Sequence, residues 1–307
     1  MKKPSDSMTK IEASAVVESL RKRLMEIATQ DGDFLTEGSA ISIHRRSLPT
    51  EDIPCIYGMG LALTVSGHKQ VTLGKEVFEY RAGEALLASV DLPVVSRVIE
   101  ASKTKPYLGV MVKLDPHLVV QVVNQLGIPP KPKQNSVVGL AHGQLDTPMI
   151  NAVSRLVDIL DEPKIAPVVA PLIQQEIIAR LLVSRHGPNL IHLHASASPS
   201  RQIAKSMAWL KVNYPSSVRI EDLAEQAHMS PTTFRQHFRL VSGMSPLQYL
   251  KNIRLQEARQ RMLNEGLDAG EAGLQVGYES VSQFSREYAR LFGMPPARDI
   301  KHLQAQA

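Results

Sequence analysis

Towards its C-terminal end the chain carries a compact run of hydrogen-bonding side chains, PTTFRQHFR, from Pro231 to Arg239. Phe234 and Phe238 are four residues apart, so on a helix they share one face and leave the polar residues on the others. The outward residues are Thr232, Thr233, Arg235, Gln236 and Arg239. Arginine can bind guanine, and glutamine adenine, through paired hydrogen bonds in the major groove of DNA. The run therefore predicts a helix that reads base edges.

A similar run, VSQFSREYARLF, follows about fifty residues later and ends at Phe292. Phe284, Tyr288 and Leu291 form its inward stripe. The outer-face candidates are Val281, Ser282, Ser285 and Arg286. Val281 can supply only an apolar contact, for example to a thymine methyl group. For every candidate in both runs, the alternative is a solvated helix face or a contact to phosphate.

Each run is preceded by the elements that would position it. Ser230 is an N-cap residue, and Pro231 suits the first helical position because that position needs no amide hydrogen. In the second run, the sequence from Ser280 to Gln283 predicts a capping box. Gly277 suits the left-handed backbone at the end of a helix. A short helix before each cap, the first containing Ala224, completes two helix-turn-helix units.

Between the two units, a helical pattern begins at Ser245-Pro246 and continues through QYLKNIRLQEARQRMLN. Its apolar residues keep a helical period: Leu250, Ile253, Leu255, Ala258 and Met262. A stiff connector would hold two readers at a fixed separation, and successive major grooves on one face of DNA lie roughly 34 Å apart. One polypeptide could thus contact two grooves.

Residues 200–300 are similar to the DNA-binding domain of the AraC/XylS family, in the stretches DLAEQAHMSPTTFRQHF, YLKNIRLQEARQRML and VGYESVSQFSREYARLFGMPP. The resemblance implies that base-facing residues occupy the early turns of each second helix. On this sequence they are Thr232, Arg235 and Gln236, then Val281, Ser282 and Arg286.

One segment departs from the family pattern. AGEAG, residues 269–273, has two glycines where the family has larger residues and an alanine. Each glycine costs a helix about 1 kcal/mol relative to alanine. We therefore expect a less rigid first helix in the second unit.

Charge and composition are consistent with these motifs. Residues 200–307 hold 14 Lys and Arg against 10 Asp and Glu, while the remainder of the chain is nearly balanced. A positive excess is expected where a protein meets phosphate. No run of eighteen apolar residues occurs, which argues against a membrane-spanning helix and a membrane partner. Cys55 is the single cysteine, so no internal disulfide framework is expected, and a reducing cytoplasm fits.

The N-terminal part has a different texture. An amphipathic helix is predicted over 11–29, then short β-rich runs punctuated by glycine from about 38 to 112. These predict a small antiparallel barrel or sandwich. Helices are expected at 115–126, 147–162 and 168–186, before a hinge over 187–200. The expected domains are therefore 1–190 and 201–307.

The segment IPCIYGMGLALTVSGHKQVTLGKEVFEYRAGEALLASVDLPV resembles the N-terminal domain of an AraC-type subgroup with a cupin-like barrel. The resemblance implies a small effector bound in the barrel and a homodimer formed through the helices that follow it. The expected fold is α+β: a cupin-like β-barrel with flanking helices, then an all-α domain of two helix-turn-helix motifs joined by a connector helix.

A metal-dependent cupin enzyme is the first alternative. Such enzymes need two histidines one residue apart, and Gln70 stands where the partner of His68 belongs. His192 and His194 have that spacing but lie in the expected hinge. No metal, cofactor or catalytic residue is predicted. Cys55 is a candidate redox or electrophile sensor if it lines the barrel, with inert packing as the alternative.

The leading hypothesis is a cytoplasmic transcription regulator that binds double-stranded DNA, activates transcription and associates with the nucleoid. RNA polymerase is a further candidate partner. A second alternative is an interaction protein that has lost DNA binding, an idea prompted by the two glycines.

Overall fold

The computed structural model describes residues 6–35, 40–128, 138–194 and 198–305, with side chains from residue 14 onward. The proline-rich stretch 129–132 and residues 195–197 of the expected hinge lie outside these ranges. The helix predicted over 11–29 is present as α1 (Asp6–Ile27). Its Leu20 and Leu24 are fully buried against the sheet domain.

Ten short strands lie within the described ranges, and they carry the β-rich texture of the sequence: β1 (Gly32–Leu35), β2 (Ile41–Arg46), β3 (Ile53–Tyr57), β4 (Gly60–Ser66), β5 (His68–Leu73), β6 (Glu76–Arg81), β7 (Glu84–Ala88), β8 (Leu92–Glu100), β9 (Tyr107–Lys113) and β10 (Leu140–Gln144). Eight of the ten, β2 to β9, fall in the β-rich region that the sequence predicts, whereas β1 precedes that region and β10 follows it. The sequence did not predict β10, because LAHGQ lacks β-branched and aromatic strand formers; its pairing with β7 makes it a strand.

The strands form two antiparallel sheets, in the orders β1-β2-β9-β4-β7-β10 and β3-β8-β5-β6. Leu61, Leu63 and Val65 alternate along β4 and are buried in the domain core. Ala62, on the opposite face of β4, borders the interior cavity described below. The two-sheet domain confirms the predicted cupin-like architecture and provides the interior that a ligand would need.

Four helices follow the sheets or lie beside them: α2 (Pro116–Gln125), α3 (Thr147–Asp158), α4 (Ala166–Val183) and α5 (Gly187–His194). A 3-10 turn, Ile159–Asp161, extends α3. The first three helices match the predicted ones. The fourth occupies the first eight residues of the predicted hinge, with Leu190 and Leu193 buried. That part of the segment is a packed helix, because its apolar residues find a core on both sides.

Helix α4 corrects the expectation about membrane-spanning segments. Among the described residues, α4 is the one helix that is long enough and apolar enough to cross a membrane, judged by length and composition alone. A search for eighteen consecutive apolar residues misses this helix because it contains Glu176 and Arg180. These two side chains form an ion pair at 2.8 Å. Ile177, Ile178 and Leu181 are fully buried in the sheet domain's core, as in an ordinary core helix.

The C-terminal part is all helical: α6 (Pro199–Asn213), α7 (Ile220–Gln226), α8 (Pro231–Ser242), α9 (Pro246–Asn264), α10 (Ala269–Gln275), α11 (Val281–Phe292) and α12 (Pro296–Gln304). Two helix-turn-helix units are present, α7–α8 and α10–α11, joined by the connector α9. We call them the first unit and the second unit.

A single apolar core joins the four-stranded sheet to the helical domain. It includes Val71 and Leu92 from the strands together with Ile203, Phe238 and Tyr288 from the helices. The two domains are therefore packed on each other, with the helical domain against the wall of the barrel.

Candidate DNA-binding interface and effector cavity

The first unit is built as its sequence predicts. Ser230 Oγ accepts a hydrogen bond from the Thr233 amide at 3.2 Å, which caps the first turn of α8. Phe234 and Phe238 are fully buried, and the Phe238 ring meets Tyr249 of the connector edge to face at 5.4 Å. The inward aromatic stripe thereby fixes which side of α8 faces away from the protein.

The turn of the first unit uses an unusual residue. His228 has φ of +54°, which few residues other than glycine adopt. The Met229 amide donates to the Ala224 carbonyl at 2.9 Å and closes the end of α7. Only a side chain that tolerates the left-handed region fits this place.

The second unit repeats the plan with smaller residues at its crossing. Gly273 occupies the place of Ala224, since its carbonyl accepts from the Tyr278 amide at 3.0 Å in the same way. A Cβ on Gly273 would lie 2.9 Å from Cγ of Phe284. The glycine that costs helix propensity therefore allows α10 and α11 to approach closely, a reason that the sequence alone did not reveal.

The cap of α11 is simpler than predicted. Ser280 Oγ accepts from the Gln283 amide at 3.3 Å. The Gln283 side chain donates to Glu287 at 3.3 Å, and only the Ser280 half of the predicted capping box is formed. The complete capping box is at the start of the connector, between Ser245 and Gln248.

Arg254 of the connector joins the turn of the second unit to the segment between α6 and α7. Its guanidinium donates to the Tyr214 carbonyl at 2.7 Å, to Ser216 at 2.8 Å and to Gly277 at 3.0 Å. Three carbonyls from two segments are thus held by one side chain. This supports the predicted role of α9 as a fixed spacer.

The structure places most predicted base readers on exposed helix surface. The exposed residues are Thr232, Thr233, Arg235, Gln236 and Arg239 on α8, and Val281, Ser282 and Arg286 on α11. Ser285 is half-buried. The Thr233 hydroxyl lies 2.9 Å from Ser230 Oγ, so this side chain takes part in the cap. The two exposed surfaces can present donors, acceptors and a methyl-sized apolar group to a nucleic acid groove.

Sequence reasoning missed one charged neighbour of these residues. Arg235 Nη2 donates to Glu221 Oε1 of α7 at 2.8 Å. The two residues are fourteen apart, so no helical spacing signals the pair. The turn between the helices creates it.

Inside the sheet domain lies a cavity of about 420 Å³. That volume is within the range of small-molecule sites. Its apolar walls include Met59, Leu63 and Val110. At its polar end, Lys69 Nζ lies 5.4 Å from the ring centroids of both Tyr57 and Tyr107.

Lys69 has no carboxylate within 4.0 Å among the described residues. Its ammonium is instead held between two aromatic faces, an arrangement that stabilises a cation. The cavity therefore combines apolar walls with an ammonium group, that of Lys69, which has no carboxylate within 4.0 Å among the described residues.

The mouth of the cavity is shared between the domains. Asp91, in the loop before β8, pairs with Lys211 of α6. Its other carboxylate oxygen accepts from the Met59 amide at 2.8 Å, and its carbonyl accepts from the Tyr249 hydroxyl at 2.9 Å. Asp91 and Lys211 both line the cavity. A change in the cavity thus has a direct route to α6 and α9.

The barrel also touches the end of the first unit. The Gly139 amide donates to the Val241 carbonyl at 2.9 Å, at the last turn of α8. A Cβ on Gly74, in the β5–β6 turn, would lie 2.5 Å from the carbonyl oxygen of Gly243. The C-terminal end of α8 is held by two backbone segments of the sheet domain.

Cys55 lines the cavity from β3. Its Sγ lies 3.8 Å from Ser96 Oγ, and burial raises the pKa of the thiol. A raised pKa leaves less of the reactive thiolate at neutral pH. A sensing role for Cys55 stays a prediction. A Cys55→Ser variant that responds to oxidants and aldehydes like the wild type in a reporter assay would contradict that role.

The histidines singled out in the sequence do not converge. His68 is buried between Glu79 and Glu100, with nearest contacts of 3.5 and 3.6 Å. His194 lies 2.6 Å from the Ser89 carbonyl. Among the residues that the structure describes, no three metal-binding side chains come together.

Comparison with known proteins bears on both domains. Residues 39–189 match the family model of the AraC-type transcriptional regulator N-terminus, and residues 223–301 match a helix-turn-helix domain model. The chain is similar to the HTH-type transcriptional regulator ExsA of Pseudomonas aeruginosa, with 27% identity over 43% of this chain and 47% of ExsA. It is also similar to the virulence regulon transcriptional activator VirF of Yersinia enterocolitica, with 26% identity over 48% of this chain and 54% of VirF. The chain thus spans about half the length of the curated relatives it matches.

A solved structure resembles the whole arrangement. The crystal structure of unsaturated fatty acid bound wild-type ToxT from Vibrio cholerae has a TM-score of 0.56, with 11% identity, and the match covers 88% of this chain and 96% of ToxT. At that identity the similarity shows a common fold.

Proposed function

This chain is a member of the AraC/XylS family of transcription regulators, and from that premise we propose that it binds DNA sequence-specifically and acts as a cytoplasmic activator. One observation carries the proposal. Two capped helices, α8 and α11, expose their early turns on a single connector. The relatives of both parts are regulators, which favours this function over a cupin-like enzyme. The exposed arginines favour it over an interaction protein without DNA binding.

The test is a gel-shift titration of the full chain on duplex DNA from upstream of its own coding sequence. We expect binding that weakens steadily as salt rises, because cationic side chains displace counterions from phosphate. The matched control is the Arg235→Ala, Arg286→Ala double variant, whose circular dichroism should be unchanged. Equal binding by the two proteins, or no binding by either, would contradict the proposal.

We further propose that the cavity binds a small anion with an apolar body, and that Lys69 is its counter-ion. The apolar walls and the Lys69 ammonium support this, as does the fatty acid in the ToxT structure of the same fold. Isothermal titration calorimetry measures the binding.

The probes are oleic acid and oleyl alcohol, which differ only in the charged group. In the Lys69→Met variant, affinity for the acid should fall by about tenfold or more, because a charge-assisted contact is lost. Affinity for the alcohol should hardly change. An equal loss for both probes would mean that Lys69 only shapes the cavity.

We propose that the regulator is a homodimer paired through helix α4. Alongside its buried face, α4 exposes Val168, Leu172 and Val183, and Ile165 precedes them. Their spacings of three, four and eleven residues place them near one face of the helix, as in a helix–helix seam. A second copy can present the same face, which gives a symmetric pair.

The dimer is tested by sedimentation of the wild type and of a Val168→Glu, Leu172→Glu variant. We expect a concentration-dependent dimer that the variant lacks. A control with Val212→Glu, an exposed apolar residue on α6, should remain dimeric. A monomeric wild type at all concentrations would contradict the proposal.

RNA polymerase and the nucleoid are proposed as cellular partners on the strength of family membership and of the activator relative. Co-purification of polymerase subunits with the tagged chain on its own promoter would test the first. Loss of that co-purification in the DNA-binding double variant would separate it from background.

A further inference from the structure

The two outward arginines at the centre of the proposed interface are held differently. Arg235 Nη2 donates to Glu221 Oε1 at 2.8 Å. Arg286 of the second unit has no carboxylate within 4.0 Å among the residues described by the structure, and neither does Arg239, one turn further along α8. The first unit alone therefore orients a guanidinium before any DNA arrives.

The hydrogen-bond inventory of arginine permits a second partner. A guanidinium carries five N–H donors in a planar fork, and the contact with Glu221 uses one of them. Guanine needs two donors for its O6 and N7 acceptors. The carboxylate and a base edge can thus be bound at the same time by different edges of Arg235.

We propose that Glu221 is a positioning residue that makes Arg235 the discriminating base reader of the first unit. This inference rests on the proposed DNA-binding function. Holding the side chain in advance removes the entropy cost of ordering it on DNA, so the correct base gains affinity. The negative charge of Glu221 also lowers affinity for phosphate in general, and both effects raise the ratio of specific to non-specific binding.

The same comparison gives Arg286 another role. An arginine without a partner can swing to a phosphate or to several bases with little preference. We expect the second unit to add affinity and the first unit to add most of the discrimination at guanine.

The experiment enriches a random-sequence DNA duplex library on the full-length wild-type protein and on variants with matched circular dichroism. Glu221→Ala removes the contact. Glu221→Gln keeps a hydrogen-bonding side chain without the charge. Glu225→Ala is the control, because Glu225 is an exposed acid on the same helix and has no ion pair within the described chain.

In Glu221→Ala the preference for guanine at one position should fall by about threefold to tenfold, the scale of ordering one long side chain. Glu221→Gln should retain part of that preference. Glu225→Ala should keep the full preference, with at most a uniform gain in affinity for all sequences, because it changes charge alone.

A double-mutant cycle assigns the effect to Arg235. In the Arg235→Ala background, the Glu221→Ala change should leave base preference unaltered. An equal loss of preference in that background would overturn the inference, as would a loss in Glu225→Ala that matches the loss in Glu221→Ala.

The outcomes separate this inference from the proposed function. Enrichment of a defined sequence by the wild type, with the same preference in Glu221→Ala, would overturn the role of Glu221 and leave DNA reading intact. Failure of the wild type to enrich any sequence would overturn the proposed function and this inference with it.

Discussion

The first and second helix-turn-helix units share a plan but differ in how each is held. In the first unit, the left-handed turn residue is His228, the crossing residue is Ala224 and the end of α8 touches the barrel. In the second unit, glycines serve at both places, and Gly293 at the end of α11 has nothing within 4 Å of where a Cβ would be.

The second unit is held to the connector and to α12 by a buried hydrogen-bonded cluster. Asp299 of α12 is buried, accepts two hydrogen bonds from Arg259 of the connector at 2.7 and 2.8 Å, and accepts one from Tyr288 at 2.6 Å. Both units pack on the connector and on the shared core, but backbone contacts with the barrel hold the end of α8, whereas the buried Asp299 holds α11 to the connector and α12. Because of this difference, we expect a conformational change in the barrel to move the first unit more than the second.

The largest expected effect tests that buried cluster. Asp299→Ala removes the buried carboxylate that pairs with the half-buried Arg259 and accepts from Tyr288, so we expect a loss of about 3–5 kcal/mol in the free energy of unfolding. In the first unit, by contrast, Ser242 Oγ donates to the Phe238 carbonyl of the same helix at 2.8 Å. Ser242→Ala should cost only about 1 kcal/mol. Urea titration gives both values, and equal losses would remove the contrast.

The turns provide the next comparison. Gly277→Ala would force a side chain into φ of +94° with its Cβ 2.4 Å from the Pro215 carbonyl oxygen. We expect a loss of about 2–3 kcal/mol from strain and overlap. His228→Gly relieves the strain of positive φ in the folded protein but raises the conformational entropy of the unfolded chain. The two effects oppose each other, so the free energy of unfolding should change by no more than about 1 kcal/mol. Thermal unfolding of the two variants checks the difference; a large destabilisation by His228→Gly would show that its side chain matters.

The arginines sharpen the comparison at the DNA. Arg286→Ala should weaken binding to all sequences alike and reduce the salt slope by about one. Arg235→Ala should instead reduce discrimination at a guanine by about tenfold, within the range of one bidentate base contact. Fluorescence anisotropy on matched and single-substituted duplexes at several salt concentrations separates the two patterns. An exchange of the two patterns would reverse the assignment of roles.

The smallest effect concerns the barrel contact of the first unit. Gly74→Ala and Gly127→Ala impose similar backbone strain, at φ of +61° and +59°, but only the first would meet another domain. Gly127→Ala should cost about 1 kcal/mol from backbone strain alone. Gly74→Ala should cost about 1–2 kcal/mol, because the overlap with the Gly243 carbonyl oxygen must also be relieved by moving the two domains apart. Gly74→Ala alone should widen the distance between spin labels on β6 and on α8. No difference between the two variants would mean that the Gly74 contact does not hold the first unit.

Much of the fold and part of the interface could be predicted from local pattern. Ser230, Pro231 and the Phe234–Phe238 pair specify where α8 begins and which face it buries, because caps and helical period act over a few residues. The same reasoning placed Arg235 and Arg286 on exposed surface. It failed for β10, whose residues become a strand only by pairing with β7, and for the segment 187–194, which becomes a helix in a shared core.

The amino-acid sequence by itself determined two capped helix-turn-helix units, a stiff connector and a β-rich domain, since each depends on the types and spacing of neighbouring residues. Tertiary structure alone decided that Glu221 meets Arg235, that Lys69 lies between two tyrosines and that Asp91 joins the barrel to α6 and α9. Those contacts join residues from 12 to 158 positions apart, and no local propensity encodes such distances. They arise when burial of a common apolar core brings the elements together.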